Sequence, residues 1–194
     1  MPFYAAMSTH ISGVMLGRAT RTLQAGGVIA YPTEAVYGLG CDPLNPLAVE
    51  RLLAIKQRPV EKGLILIASR FDQLAPFVQP PPPEIQRRLE ETWPGPVTWL
   101  LPANAMTPRW LRGQHSTLAV RVTAHPVAAA LCEAFGGAIV STSANPTGRP
   151  PARTALQSRL RCRTVDLTVH GAVDRSARPT AIHDGVSGAV LRSS

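Results

Sequence analysis

Lys56 and Arg58 flank Gln57 in the stretch IKQRPVEKG, so two cations lie close together where a helical pattern gives way to a turn. Such a pair can neutralise a phosphoryl group during transfer, each cation donating a charge-assisted hydrogen bond. A solvated helix end, where cations complement the helix dipole, would look the same. Of the 20 Lys plus Arg residues, only Lys56 and Lys62 are lysine, and a lysine in so Arg-biased a chain hints that a compact ammonium is wanted there. A second cluster is Ser141-Thr142-Ser143-Ala144-Asn145, whose hydroxyls and amide can bond a phosphate or a metal-bound water, or form an ordinary Ser/Thr turn. A third candidate is Arg121, set among apolar residues in LAVRV; a buried guanidinium needs an anion, supplied either by a protein carboxylate or by a ligand. The chain has no GxxxxGK[ST] and no GxGxxG, which disfavours P-loop and dinucleotide folds.

The elements that must position these groups alternate between strand and helix signals. Val28 to Tyr31 is a short apolar run that suits a buried strand. Pro32 stops it, leaving Thr33, Glu34 and Tyr37 on an irregular segment at a strand's carboxyl end, where open α/β sheets place their ligand crevices. Asn45 and Pro46 start a helix with Ala48, Leu52 and Ile55 inward, which must end before Pro59. Further helices are expected over residues 13–25, with Leu16, Ala19 and Leu23 inward, and over 84–92, 126–135 and the end of 150–160, capped by Thr154. Strands are expected over 64–68, 97–101, 118–122 and 139–142, and near 165–169 and 189–191. Residues 71–77 read as a short helix or turn, and Pro80 to Pro83 as a stiff extended connector. His125 is expected to cap a helix, His183 to lie at the surface, and Trp93, Trp99 and Trp110 to pack in the core. The sum is a mixed α/β sheet with parallel pairs in the middle and short closing strands that can be antiparallel.

At 194 residues and 45% hydrophobic content the chain is long enough for one sizeable core. The formal net charge of +8 suggests anionic substrates or a polyanionic partner, and residues 146–194 carry eight arginines against three aspartates. Cys41, Cys132 and Cys162 are widely spaced and odd in number, indicating cytosolic thiols rather than a disulfide framework or zinc site; no metal ligands are assigned. The first 17 residues lack the basic start and continuous apolar core of a secretion signal, and no apolar run is long enough to cross a membrane. A cytoplasmic protein is expected.

YPTEAVYGLGCDP with KQRPVEKGLILIA, followed in order by WPGPVTWLLPA, LAVRVTAHP, STSANPTG and PTAIHDGVSG, resembles the YrdC family in its short single-domain form, over about residues 15–192. The resemblance implies a twisted open mixed sheet with helices packed on it and a basic concave face, as one catalytic domain over residues 13–194 behind an extension of residues 1–12. It implies an enzyme that joins L-threonine, bicarbonate or CO2, and ATP with its Mg²⁺ into threonylcarbamoyl-adenylate for tRNA modification, releasing pyrophosphate. By the same resemblance Lys56, Arg58, Ser143 and Asn145 form the nucleotide site, with Thr117 also near ATP. Arg121 holds the threonine carboxylate in a pocket lined by Thr33 and Ser141. Partner tRNA would be met weakly, or through the transferase that uses the adenylate. Longer relatives carry a histidine near the strand after Lys-x-Arg, which Leu64 to Ala68 lacks. Two other readings stay open: a carbamoyl-adenylate-forming module, which would need companion domains, and an RNA-binding protein without catalysis, which would account for the charge alone.

Overall fold

Ser12 opens the first helix, α1 (Gly13–Gln24), by accepting a hydrogen bond from Met15 N, and Gly26 leaves it at a positive φ of 78°. This is a computed structural model, and it describes residues 10–174, 176–177 and 180–193; residues 1–9, most of the expected N-terminal extension, lie outside the described residues. Strand β1 (Ile29–Pro32) follows and turns directly into β2 (Tyr37–Gly40), with which it pairs antiparallel. Tyr37 is therefore in a strand rather than on the expected irregular segment. Two glycines hid this strand: a Cβ on Gly40 would lie 2.7 Å from both the Tyr31 ring and Val140 O, so close packing at the pair excludes side chains there.

Helix α2 (Pro46–Lys56) begins with Asn45 as its cap, the side chain accepting from Ala48 N, and Pro46 in its first turn. It buries Ala48, Val49, Leu52 and Lys56, while Ile55 is only half-buried. The succession Ala48, Leu52, Lys56 repeats every four residues, so the lysine occupies the next position of the inward face. Strand β3 (Ile65–Ala68), α3 (Pro83–Thr92), β4 (Val97–Pro102) and a single turn α4 (Arg109–Arg112) come next. Pro83, expected in the extended run, instead starts α3, where its missing N–H costs nothing. The chain closes with β5 (Thr117–Val122), α5 (Pro126–Phe135), β6 (Ile139–Ser143), α6 (Ala155–Arg161), β7 (Leu167–Thr168), β8 (Ala181–Asp184) and β9 (Val190–Arg192). The sequence reading had no α4 and no β8.

Among the described residues the strands form one sheet in the order β7-β1-β2-β6-β3-β5-β4-β8-β9. In its middle only β3 and β5 run parallel; β2 with β6, β6 with β3, and β5 with β4 are antiparallel, which corrects the expectation of parallel pairs there. Alternation along the strands divides the core between the two faces. Leu66, Val140, Val120 and Trp99 pack in one cluster with Leu52 of α2 and Leu89 of α3. Ile67 and Ile139 pack in another with Leu23 of α1 and Leu131 of α5. Helices α1 and α5 cover only part of that second face. Beyond them Leu100, Ala119, Ile65 and Ser141, neighbours across four strands, form the floor of a cavity.

Trp99 is fully buried, and Trp93 and Trp110 pack against the same core. His125 does stand at the start of α5, but its side chain makes no capping bond; its Nε2 lies 2.9 Å from Ala172 O instead. His183 is half-buried on β8 with its ring 4.9 Å from that of Trp99, not a surface residue, because β8 lies beside β4. No helix among the described residues is long and apolar enough to cross a membrane.

Candidate functional site

Lys56 reaches the end of β6 from the last turn of α2. Its Nζ donates to Ser143 O at 2.6 Å, Ser143 Oγ at 2.8 Å and Asn145 Oδ1 at 2.9 Å. Only 4% of the residue is exposed, and burial, reinforced by the nearby charge of Arg58, pushes its pKa down to about 8. The same helix end is tied to the following loop, since Lys56 O accepts from both N and Oγ1 of Thr147. Asn145 Nδ2 in turn donates to Pro146 O and Arg149 O, and Ala152 N to Ala144 O. Residues 146–152 are thereby a fastened wall of the site, and Pro151 lines the cavity.

Helix α2 ends at Gln57, whose φ of 52° is left-handed, and this turns Arg58 off the helix axis. The Arg58 guanidinium donates through Nε to Gly63 O at 3.0 Å and through Nη2 to Lys62 O at 3.1 Å. These bonds use two of its five N–H groups among the described residues, so others can serve a ligand. Lys56 and Arg58, two residues apart in sequence, thus take different positions. Arg58 faces the cavity, while Lys56 and Asn145 stand behind its wall and act on it through Ser143.

Arg121 lies at the other end of the cavity and is 4% exposed. Its Nη2 is 3.4 Å from Glu34 Oε2, and its Nη1 is 3.4 Å from both Thr98 Oγ1 and Thr180 Oγ1. Among the described residues its Nε is buried without a partner, as is Glu34 Oε2 as a hydrogen-bond acceptor. Glu34 Oε1 accepts a short 2.6 Å bond from Thr123 Oγ1. Burial opposes ionisation of Glu34, yet the charge of Arg121 and the Thr123 bond hold its carboxyl below the usual range. The protein carboxylate anticipated as one partner for Arg121 is therefore present, but the contacts are long and leave guanidinium donors over. A carboxylate entering the cavity can take them as a fork.

The cavity has a volume of about 650 Å³. Six of the eight site residues expected from the sequence line it: Thr33, Arg58, Thr117, Arg121, Ser141 and Ser143. The Thr33 hydroxyl is occupied with its own turn, donating to Val36 O at 2.6 Å. Four further basic lining residues were not singled out from the sequence, namely Lys62, Arg112, His115 and Arg192. The lysine count had pointed to Lys62 without assigning it a role; the other three carry no local signal. Among the described residues no aspartate or glutamate lines the cavity. Among the described residues no group of three His, Cys, Asp or Glu could hold a metal ion. A Mg²⁺ bound here would therefore be held by the phosphates and water of its nucleotide rather than by carboxylates of the protein.

An open α/β sheet with a cavity on one face, cationic at both ends and free of carboxylates, defines a binding site for a small molecule carrying several negative charges. Comparison with known proteins gives that class a family. The model Sua5_yciO_yrdC, described as telomere recombination, matches residues 21–194, and the chain belongs to this family. Its sequence is 62% identical over 175 residues to the threonylcarbamoyl-AMP synthase of Alkalilimnicola ehrlichii, covering 88% of this chain and 91% of that one. Against the threonylcarbamoyl-AMP synthase of Halorhodospira halophila the identity is 58%, over 90% of this chain and 92% of the relative. Among solved structures, P. abyssi Sua5 complexed with L-threonine superposes with a TM-score of 0.88 at 31% identity, covering 94% of this chain and 55% of that one. The chain thus spans about half the length of that protein. E. coli YciO gives a TM-score of 0.83 at 28% identity, with 93% and 89% coverage.

Proposed function

We infer that the protein is a threonylcarbamoyl-AMP synthase, which joins L-threonine, bicarbonate or CO2, and ATP into L-threonylcarbamoyl-adenylate and releases pyrophosphate. The observation that carries this reading is the bipolar cavity. A buried, under-bonded Arg121 fork stands at one end, a cluster of cations at the other, and among the described residues no carboxylate lines the space between them. The identity to relatives of that name supports it independently.

Arg121 takes the threonine carboxylate through its free donors, in a pocket walled by Thr33 and Ser141. The threonine amine, carrying CO2 as a carbamate, then points toward the middle of the cavity. Its carbamate oxygen attacks the α-phosphorus of ATP in line with the departing pyrophosphate, so catalysis rests on positioning and charge neutralisation. Arg58 supplies charge directly, while Thr117 and Ser143 offer hydroxyls to the nucleotide. Lys56 serves by fixing Ser143 and Asn145. Mg²⁺ would enter with the ATP substrate and supply further neutralisation of its phosphates. The fastened wall of residues 146–152 shields the hydrolysable adenylate from water. The product serves threonylcarbamoyladenosine formation in tRNA, in the cytoplasm, with any direct tRNA contact made by arginines on phosphates. The test is pyrophosphate release from ATP and bicarbonate, which should require L-threonine. Equal release without the amino acid would refute the assignment.

A further inference from the structure

Glu34 stands behind the cavity rather than in it: Thr33 and Ala35 on either side line the space, while Glu34 is buried and does not. Its carboxylate is fixed from the back. Oε1 accepts from Thr123 Oγ1 at 2.6 Å and from Ala124 N at 3.3 Å, and the residue's own carbonyl accepts from Asp174 N at 2.9 Å. Thr123 Oγ1 is held in turn by His125 N at 3.2 Å. Oε2 takes no hydrogen bond among the described residues and lies 3.4 Å from Arg121 Nη2. The pair is therefore in charge contact at a distance that leaves the guanidinium donors largely unspent.

The two ends of the cavity consequently differ in net charge. At the first, the ionised Glu34 and the cationic Arg121 sum to zero. Desolvation keeps the neighbouring His125 ring neutral, and Arg192, three strands away, is exposed to solvent. At the second, Arg58, Lys62 and Arg112 line the cavity without a carboxylate partner among the described residues. The hydrogen bonds of the two arginines there go to carbonyls, those of Gly63, Lys62 and His115.

We propose that Glu34 determines which anion each end accepts: by cancelling the charge of Arg121, it turns phosphate groups away from that guanidinium and reserves it for the single carboxylate of an amino acid. The choice of ligands for the two ends rests on the synthase reading above. A phosphate dianion arriving at Arg121 would meet the fixed carboxylate of Glu34 with two negative charges, in a buried place where repulsion is weakly screened. An amino acid brings one negative charge and an ammonium that offsets it, and its planar carboxylate fits the donors left over. Discrimination thus comes from a repulsive group built beside the attractive one. Glu34 touches neither substrate and acts through Arg121.

The experiment compares the wild type with Glu34→Gln, which keeps the shape and the Thr123 bond but removes the charge. At saturating ATP, inorganic phosphate should leave the threonine requirement of the wild type unchanged and compete with L-threonine in the variant, raising the requirement about 10-fold or more. Without phosphate, kcat at saturating threonine should stay near the wild-type value. Calorimetric titration of phosphate, with ATP saturating and no amino acid, should show one site in Glu34→Gln and none in the wild type. Glu34→Asp, which retains the charge, should exclude phosphate as the wild type does. Absence of the extra site in folded Glu34→Gln would overturn the proposal, and phosphate competing with L-threonine in the wild type would overturn it without any variant. The titration needs no turnover, so a protein that gains the site but releases pyrophosphate without threonine would lose the synthase reading and keep the role of Glu34 against phosphate.

Discussion

Replacing Arg121 by lysine keeps the charge and removes the planar fork, which separates substrate recognition from structure. On the structural side, Arg121 meets Glu34, Thr98 and Thr180 only at 3.4 Å, so these contacts are weak as hydrogen bonds and the charge on Glu34 dominates. Removing one partner of a buried pair outright costs about 3–5 kcal/mol, but an ammonium still faces Glu34. A loss of roughly 1–2 kcal/mol is expected, lowering the melting temperature by about 2–8 °C in a chain of this size. On the substrate side, a guanidinium gives the threonine carboxylate two parallel bonds and an ammonium reproduces one. One lost charge-assisted bond is worth about 1.5–3 kcal/mol, or a 10- to 150-fold rise in the threonine requirement. The assay is pyrophosphate release against L-threonine at saturating ATP, alongside thermal melting and a separate ATP titration. A variant that melts normally and keeps its threonine requirement would refute the fork. A change confined to ATP affinity would mean that Arg121 serves the other end of the cavity.

Because burial pushes Lys56 to about 8, its ammonium loses its proton as pH rises through that value, and a neutral amine can no longer donate to all three acceptors. Activity should fall above about pH 8, and Lys56→Met should be slow at every pH and lack this limb; a limb near pH 8 surviving in Lys56→Met would refute the assignment. The sign for stability is the opposite one. The unfolded lysine holds its proton up to 10.5 while the folded one has lost it, so between these values stability should increase with pH, measurable as the denaturant midpoint. Gly113→Ala should cost about 2 kcal/mol or more, because its Cβ meets Glu61 O at a positive φ. Gly136→Ala, also at positive φ but with open space around it, should cost only about 1 kcal/mol, which melting curves on both variants will compare.

Local signals carried the elements that local chemistry dictates. The Asn45-Pro46 start of α2, the Thr154 cap of α6 and the apolar strands β3, β5 and β6 all follow from neighbours in sequence. Strand β2 did not show, because its glycines answer to Tyr31 and Val140 rather than to any periodicity. Strand direction escaped as well, since a buried parallel strand and a buried antiparallel one read alike. In the site, residue types were legible and their depth was not. Lys56 and Arg58 look equivalent in the chain, and only the left-handed turn at Gln57 and the next step of an inward helical face send one behind the wall and the other into the cavity. The Arg121–Glu34 pair is a long-range meeting that neither residue's surroundings announce.

The antiparallel pairing of β2 with β6 bears on how the protein is made. It sets Gly38 against Ser143, and Lys56 lies 87 positions from its Ser143 partner. The cavity lining is drawn from residues spread between 33 and 192, so the complete site awaits the costly closure of long loops. ATP and threonine therefore meet their complete site only in the finished fold. Ligands that recognise only the finished fold stabilise it by mass action, by about 2.7 kcal/mol at a hundred times their dissociation constant. In a cell well supplied with both substrates, the molecules this protein consumes also help to keep it folded.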